Sequence, residues 1–418
     1  MTVTRAPTVR RLEAGSLLSV LAALIWLPQA ALLAHAVQRL AAGGGLGDIL
    51  VPAALVLGLG LLRPLAEAAG VRLSYRRARH LLGEARSHAL RRLATGSPLD
   101  PRRHPAGLAA SVLAEQAETL LPYLSRFQPV RLRVALVPPL ILAAVFSQSW
   151  LAALILLLAA PLIPVFMALV GWRAKAASEA QMIEMGGMNA FLLDRLRGLA
   201  TIRGLGAIEA TAERLAASAR GLQQRTMAVL RIAFLSSAVL ELFSALGVAM
   251  VAVYVGFHLL GQLEFGAWGG KLDLGQGLFI LMLAPAFFEP LRDLSAVWHD
   301  RAAGVAAEES LARLAAPGLE VPGALDETVG GAGAVPGVEI SHLHFRHEGA
   351  AEPVFADFSL SIRPGEHVAL TAPSGSGKST LLSLIAGLAP VESGAIVLGG
   401  TALTAGTAAG LRGRIAWI

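Results

Sequence analysis

Long apolar stretches without formal charge recur along this chain, and they decide most of what it can fold into. The first runs from about Ser16 to Val37, long enough to cross a hydrocarbon layer of roughly 30 Å as a helix. Five more follow: Ile49–Leu62 (extended by Pro64–Gly70), Val134–Phe146, Trp150–Val170, Ile232–Leu260 and Gly277–Leu291. A mean hydropathy of +0.62, with only 15% charged residues, is too apolar for an ordinary soluble protein. Much of the surface must therefore lie against membrane lipid. Ala34-His35-Ala36 resembles a signal-peptidase site, but the apolar run before it exceeds an h-region of about 7–15 residues, which predicts an uncleaved span. Pro28, Pro138, Pro139, Pro161, Pro164 and Pro285 fall inside these stretches and predict kinks whose freed carbonyls are covered by neighbouring helices.

Six spans leave two long internal segments, 71–133 and 171–231. Both carry helical periodicity with charges on one face, which predicts helices continuing far out of the membrane. Both are rich in arginine, from Arg72 to Arg133 in the first and Arg173 to Arg231 in the second. The short connections are poor in basic residues: Arg39 lies between spans one and two, and Lys271 between five and six. The positive-inside rule then places the N-terminus and both long segments in the cytoplasm. This distribution also accounts for a pI near 10.4. Nucleic-acid binding would want a basic soluble face with exposed aromatics, and the sequence offers none. The chain has no cysteine, which excludes a disulfide framework and a thiolate metal site.

The composition changes after the sixth span. Asp300–Leu314 reads as a charged amphipathic helix, and Pro317–Gly337 as a Gly/Pro-rich linker. The expected division is a cytoplasmic N-terminus at 1–14, a helical membrane domain at 15–312, a linker at 313–337 and an α/β domain from 338 to 418. Strands are predicted at Val338–Phe345, Phe355–Ile362, Val368–Leu370, Gly394–Leu398 and from Ile415.

Within that domain, Val368–Gly387 reads VALTAPSGSGKSTLLSLIAG. A short apolar strand, a Gly/Ser loop, Lys-Ser and an apolar helix together give the context of a P-loop. The predicted nucleotide-binding residues are Ala372, Pro373, Ser374, Gly375, Ser376, Gly377, Lys378, Ser379 and Thr380. Gly375 and Gly377 let backbone N–H groups turn toward phosphate oxygens. The helix N-terminus adds partial positive charge. Lys378 supplies a compact cation for the outer phosphates, and the Ser379 hydroxyl is the expected Mg²⁺ ligand, so ATP and Mg²⁺ are the expected cofactors. The chain holds three lysines among 35 basic residues, and one of them stands where a slim phosphate-binding cation is needed. The motif departs from its literal form at Ala372, where glycine is usual.

Other polar residues lie at membrane depth. Gln29 beside Pro28 either lines a cavity or bonds a backbone carbonyl. Glu241 and Glu289 lie inside the fifth and sixth apolar stretches. They either face a central cavity, where they would attract a cargo ammonium, or sit near the cytoplasmic surface, with Glu289 pairing Arg292 at i+3. His35 and His258 fall near the outer ends of their spans, as haem ligands or as hydrated interfacial side chains.

Four stretches then resemble a known family: Ala160–Gly171 (APLIPVFMALVG), Phe191–Gly206 (FLLDRLRGLATIRGLG), Gln224–Leu235 (QRTMAVLRIAFL) and Leu283–Leu294 (LAPAFFEPLRDL). They resemble the D subunit of the CydDC exporters, heterodimeric bacterial ABC transporters needed for assembly of cytochrome bd oxidase. The resemblance implies a six-span type-1 ABC exporter fold followed by the N-terminal part of an ABC ATP-binding domain. It implies ATP-driven export of cysteine and glutathione across the bacterial inner membrane, a CydC-like partner and a connection with haem. It also implies a coupling helix around Arg195, Arg197 and Arg203, and places His347 where the family stacks an aromatic on adenine. The Q-loop, signature motif, Walker B acid and switch histidine of the family are expected beyond Ile418, so residues 1–418 alone are expected not to hydrolyse ATP. Other cargo (haem, lipid or drug-like molecules) and a non-transporting nucleotide-binding regulator are the competing readings.

Overall fold

A computed structural model describes residues 14–163, 165–166, 188, 191–192, 195–196, 198–324 and 335–417, apart from the side chains of 233, 236 and 237. The chain divides into two compact units. One takes the chain up to Arg76 together with Leu124–Arg301; the other takes Arg77–Tyr123 together with the chain from Ala302.

The first unit is helical. Helices α1 (Ala14–Leu24) and α2 (Trp26–Ala41) form one apolar span, and α3 (Gly47–Thr95) follows. At about 1.5 Å per residue, the 49 residues of α3 extend roughly 74 Å, far more than a bilayer needs. The 52-residue α8 (Ile208–Leu259) is longer still. The expectation of helices running on past the membrane is met in both. Helix α4 (Ala106–Ala114), counted with the second unit, continues through short 3₁₀ and π turns into α5 (Gln128–Phe146), and the stretch is long and apolar enough to be another span. Between α3 and α4, residues 96–105 form a non-helical loop that the helical reading of 71–133 does not mark. Pro98, Pro101 and Pro105 explain the break, since each lacks the N–H a helix would use.

Among the described residues, five helical segments are long and apolar enough to cross a membrane: Ala14–Ala41, Gly47–Thr95, Ala106–Phe146, Ala238–Leu259 and Leu274–Ala296. The expected fourth span begins as the short apolar helix α6 (Trp150–Ala159). Ala160 and Pro161 then form a turn, Leu162, Ile163, Val165 and Phe166 are again helical, and residues 164 and 167–170 lie outside the described residues.

Helix α9 (Leu274–Ala296) is the centre of this unit and packs on α2, α5 and α8. Phe288, Ile280 and Leu283 of α9 are fully buried with Leu156, Val145 and Val251. Gly247 of α8 gives Phe288 its space, because a Cβ there would stand 2.5 Å from the ring. At the α6 end, Ser149 caps the helix by accepting from the Ala152 N–H at 3.2 Å. Its hydroxyl donates to the Gly266 carbonyl at 2.6 Å and lies 2.9 Å from the Tyr254 hydroxyl. A side of α3 remains uncovered, with Leu50, Leu57, Leu61 and Leu65 exposed, as a lipid-facing helix requires.

In the second unit, α10 (Trp298–Leu314) leads toward a four-stranded antiparallel sheet of order β2-β1-β3-β4. Strands β1 (Val338–Phe345) and β2 (Phe355–Ile362) have the predicted bounds, β3 is Ser393–Leu398 and β4 is Thr401–Ala402. Helices α11 (Lys378–Ile385) and α12 (Ala408–Arg412) complete it; Leu384 and Leu381 of α11 are buried with Leu343, Ile340 and Ile396. The expected strand Val368–Leu370 is not in the sheet, and Val368 is 48% exposed. The segment from Ile415 is likewise not a strand. A strand exists only as part of a ladder, and among the described residues no segment pairs with either.

Candidate nucleotide-binding site

Residues 372–380 form a loop that closes into the first turn of α11. Gly375 and Gly377 have φ of 86° and 90°, in the left-handed region that favours glycine. Gly377 is constrained twice, because a Cβ there would also stand 2.5 Å from Val354 Cγ1 and 3.1 Å from the Phe355 ring. Ala372 differs: among the described residues only His342 and Asp357 combine a side chain with positive φ. Its backbone is ordinary, so the missing glycine does not strain the first turn.

The Lys378 ammonium donates to the carbonyls of Ala372 and Pro373, both at 2.7 Å, which arches the side chain back over the loop. Ser376 Oγ donates to the Pro373 carbonyl at 2.8 Å. Ser379 is exposed on the first helical turn, and Thr380 is buried beneath it. The first turn of a helix leaves N–H groups without intrahelical partners. With an exposed loop, an ammonium at its mouth and an exposed hydroxyl oxygen on the first helical turn, these groups suit a polyphosphate and a magnesium ion.

His347 is brought to this site. It lies two residues past β1, with its ring edge-on to Phe345 at 5.2 Å between centroids and its Nε2 3.4 Å from the Thr380 hydroxyl oxygen. The neighbouring Glu348 accepts from Arg102 Nη2 at 2.6 Å. Arg102 belongs to the loop between α3 and α4, which docks on this unit. Leu99 packs on the core under the sheet. The Ser97 N–H donates to the Leu319 carbonyl at 2.8 Å, and the Val321 N–H to the Thr95 carbonyl at 2.8 Å. Asp100 accepts from the Leu319 N–H at 2.7 Å and from the Arg102 N–H at 2.9 Å. Burial pushes the Asp100 carboxyl up, but those two N–H groups and the Arg102 guanidinium outweigh it and hold the group below the ordinary carboxylate range. Sequence reasoning missed this loop. The signal was present in its three prolines and Asp100, which mark a structured turn rather than a helix.

The other predicted residues that the structure describes lie on other elements. Gln29 Nε2 donates to the Val56 carbonyl of α3 at 3.2 Å. Glu241 is ion-paired with Arg292 at 3.2 Å, and its side chain is 66% exposed. Glu289 is half-buried, and Arg292, which one of the two readings paired with Glu289, turns to Glu241 on α8. Nearby, Arg133 stands 3.7 Å from Glu67 and 3.6 Å from Asp293, with a side chain only 12% exposed. Arg195 lies over the Phe191 ring at 4.8 Å, and Arg203 lies in the last turn of the short helix α7 (Leu199–Gly204). Arg197 lies outside the described residues.

The two histidines near the outer ends of their spans lie in different surroundings. His258 is fully buried and its Nδ1 accepts the Leu272 N–H at 3.3 Å. His35 Nε2 accepts from Arg39 at 3.4 Å.

Comparison with known proteins places these features. Residues 14–290 match the ABC transporter transmembrane region, and residues 355–418 match the ABC transporter family. The transport ATP-binding protein AarD of Providencia stuartii is 36% identical over 94% of this chain and 67% of its own length. The glutathione/L-cysteine transport system ATP-binding/permease protein CydD of Haemophilus influenzae is 34% identical over 99% of this chain and 70% of its own length. CydD of Escherichia coli is 36% identical over 83% of this chain and 58% of its own length. Membrane helices in one unit and a glycine loop opening a helix in the other are the two parts these matches require, and the chain belongs to the ABC transporters, in the group of CydD.

Proposed function

We propose that this chain is the D-type subunit of a heterodimeric exporter that uses ATP to move cysteine or glutathione from the cytoplasm to the periplasm. The observation that carries the ATP reading is the loop at the start of α11, with Gly377 held at φ 90° and the Lys378 ammonium at its mouth. The names of the CydD relatives support the cargo and a CydC-like partner. The arginine-rich segments support a bacterial inner-membrane orientation with N-terminus, loop 96–105 and P-loop all cytoplasmic.

In this reading Gly375, Gly377 and the first N–H groups of α11 receive the phosphate chain. Lys378 exchanges its two carbonyl partners for phosphate oxygens, and Ser379 holds Mg²⁺, which offsets the phosphate charge when bound. His347 lies beside the base. Gln29, Glu241 and Glu289 are proposed to contribute polar contacts along the cargo route, and Arg195, Arg197 and Arg203 to a cytoplasmic docking segment.

The test uses inside-out vesicles carrying the full-length subunit and its partner. ATP-dependent uptake of labelled cysteine or glutathione is expected, and Lys378→Ala should abolish it when the partner's own site is disabled. Uptake that survives both changes would overturn the reading.

A further inference from the structure

We propose that Arg102 is a positioning residue for recognition of the nucleotide base. It fixes the turn after β1 through Glu348 and thereby sets His347 against the P-loop helix. This rests on the nucleotide-site reading and extends it to a residue outside the nucleotide-binding domain.

The turn between Phe345 and Phe355 is exposed over most of its length. Its ends are closed by the Val354 N–H donating to the Phe345 carbonyl at 2.8 Å. Inside it, the Ala350 N–H donates to the His347 carbonyl at 3.0 Å, and Gly349 has φ 81°. These local bonds shape the turn but do not aim it. The Arg102–Glu348 pair at 2.6 Å reaches it from a different part of the chain, 246 residues away in sequence.

An exposed ion pair ordinarily contributes little, because two long side chains must be ordered to make it. Here one partner is already ordered. Asp100, with a side chain only 9% exposed, accepts from both the backbone N–H and Nε of Arg102 and is itself tied to Leu319. Leu99 anchors the same loop in the core. The guanidinium is therefore presented from a rigid base, and Glu348 is one residue from His347.

Histidine stacks on a base more weakly than a larger aromatic ring. Its contribution then depends on where the ring is held. Phe345 touches one edge of the imidazole and Thr380 approaches Nε2; the backbone position comes from the turn that Arg102 holds. Losing the pair should cost affinity only for ligands that carry a base. The phosphate cradle, built from 372–380, should be left as it is.

The experiment measures equilibrium binding of MgATP and of magnesium tripolyphosphate to the full chain in nanodiscs. Arg102→Glu and Glu348→Arg should each weaken MgATP binding by about 3–10-fold, the size of one lost positioned contact, and leave tripolyphosphate within about twofold. The double variant should recover most of the loss, and Arg102→Glu should add nothing in a His347→Ala background. Arg102→Lys, which keeps the charge, should retain most of the affinity and guards against a folding artefact. Equal losses for both ligands, no loss, or simple additivity with His347→Ala would overturn the proposal while leaving the P-loop reading intact. If the unaltered chain binds neither ligand, or if Lys378→Ala changes neither, the nucleotide-site reading fails and this proposal with it.

Discussion

Arg292 of α9 donates to both carboxylate oxygens of Glu241 on α8, each at 3.2 Å. The pair joins α8 to α9. One step along α9, Asp293 faces Arg133 of α5, which also faces Glu67 of α3. Four helices thus share one group of charges, and its members differ in burial.

That difference predicts unequal mutational costs. Glu241 is two-thirds exposed, so Glu241→Ala should change stability by less than about 1 kcal/mol. Arg133 is 12% exposed, and Arg133→Ala would remove the cation between Glu67 and Asp293, both themselves over 40% exposed, at a cost on the order of 1–2 kcal/mol. Thermal unfolding of the two purified variants checks the ranking. A larger loss for Glu241→Ala would show that Arg133 is not held by its two carboxylates.

The two glycines of the nucleotide loop should also separate. Gly375 has open space where a Cβ would go, so Gly375→Ala bears only the left-handed backbone cost of roughly 1–2 kcal/mol. Gly377→Ala bears that cost and a collision with Val354 and Phe355 as well. ATP affinity should fall at least about tenfold further in Gly377→Ala than in Gly375→Ala. Equal affinities would mean that β2 yields to the added methyl.

Parts of this architecture are legible in the residue pattern alone. The loop 372–380 can be read because phosphate binding demands a short, contiguous pattern of residue types. Strands β1 and β2 can be read because Pro/Gly turns bound their alternating residues. The rest depends on tertiary contacts that local pattern does not encode. Arg292 has Glu289 within helical reach, yet its side chain goes to a neighbouring helix. Val368–Leu370 has strand composition, but a strand also needs a partner. The docking of 96–105 rests on Asp100 meeting the Leu319 N–H, 219 residues away, and no periodicity reports such a contact.

Orientation can be tested on a chain that has no cysteine of its own. Gly269 is exposed with open space around it, and Arg203 is exposed on α7. Gly269→Cys should react with a membrane-impermeant maleimide in whole cells, and Arg203→Cys should react only after the membrane is opened. The opposite pattern would reverse the topology drawn from the arginines.

Asp100 should make the docking of loop 96–105 sensitive to strong acid. Its folded carboxyl titrates below the ordinary value because the Arg102 and Leu319 N–H groups and the Arg102 guanidinium favour the anion more than burial disfavours it. For a group depressed on folding, the contribution to stability is complete above the unfolded carboxylate pKa of about 3.9. It is lost as pH falls through the depressed folded value. Asp100→Asn replaces one acceptor oxygen with an amide that cannot accept, which leaves a backbone N–H or the guanidinium facing a donor. The variant should be less stable by about 1–3 kcal/mol at neutral pH. The difference from the unaltered chain should stay constant from about pH 5 upward and shrink in stronger acid, where both side chains are neutral. Hydrogen exchange of the amides of Leu319 and Arg102, followed against pH in both proteins, reads this directly. A difference that grows as the pH falls would mean that the Asp100 carboxyl is raised on folding, not lowered.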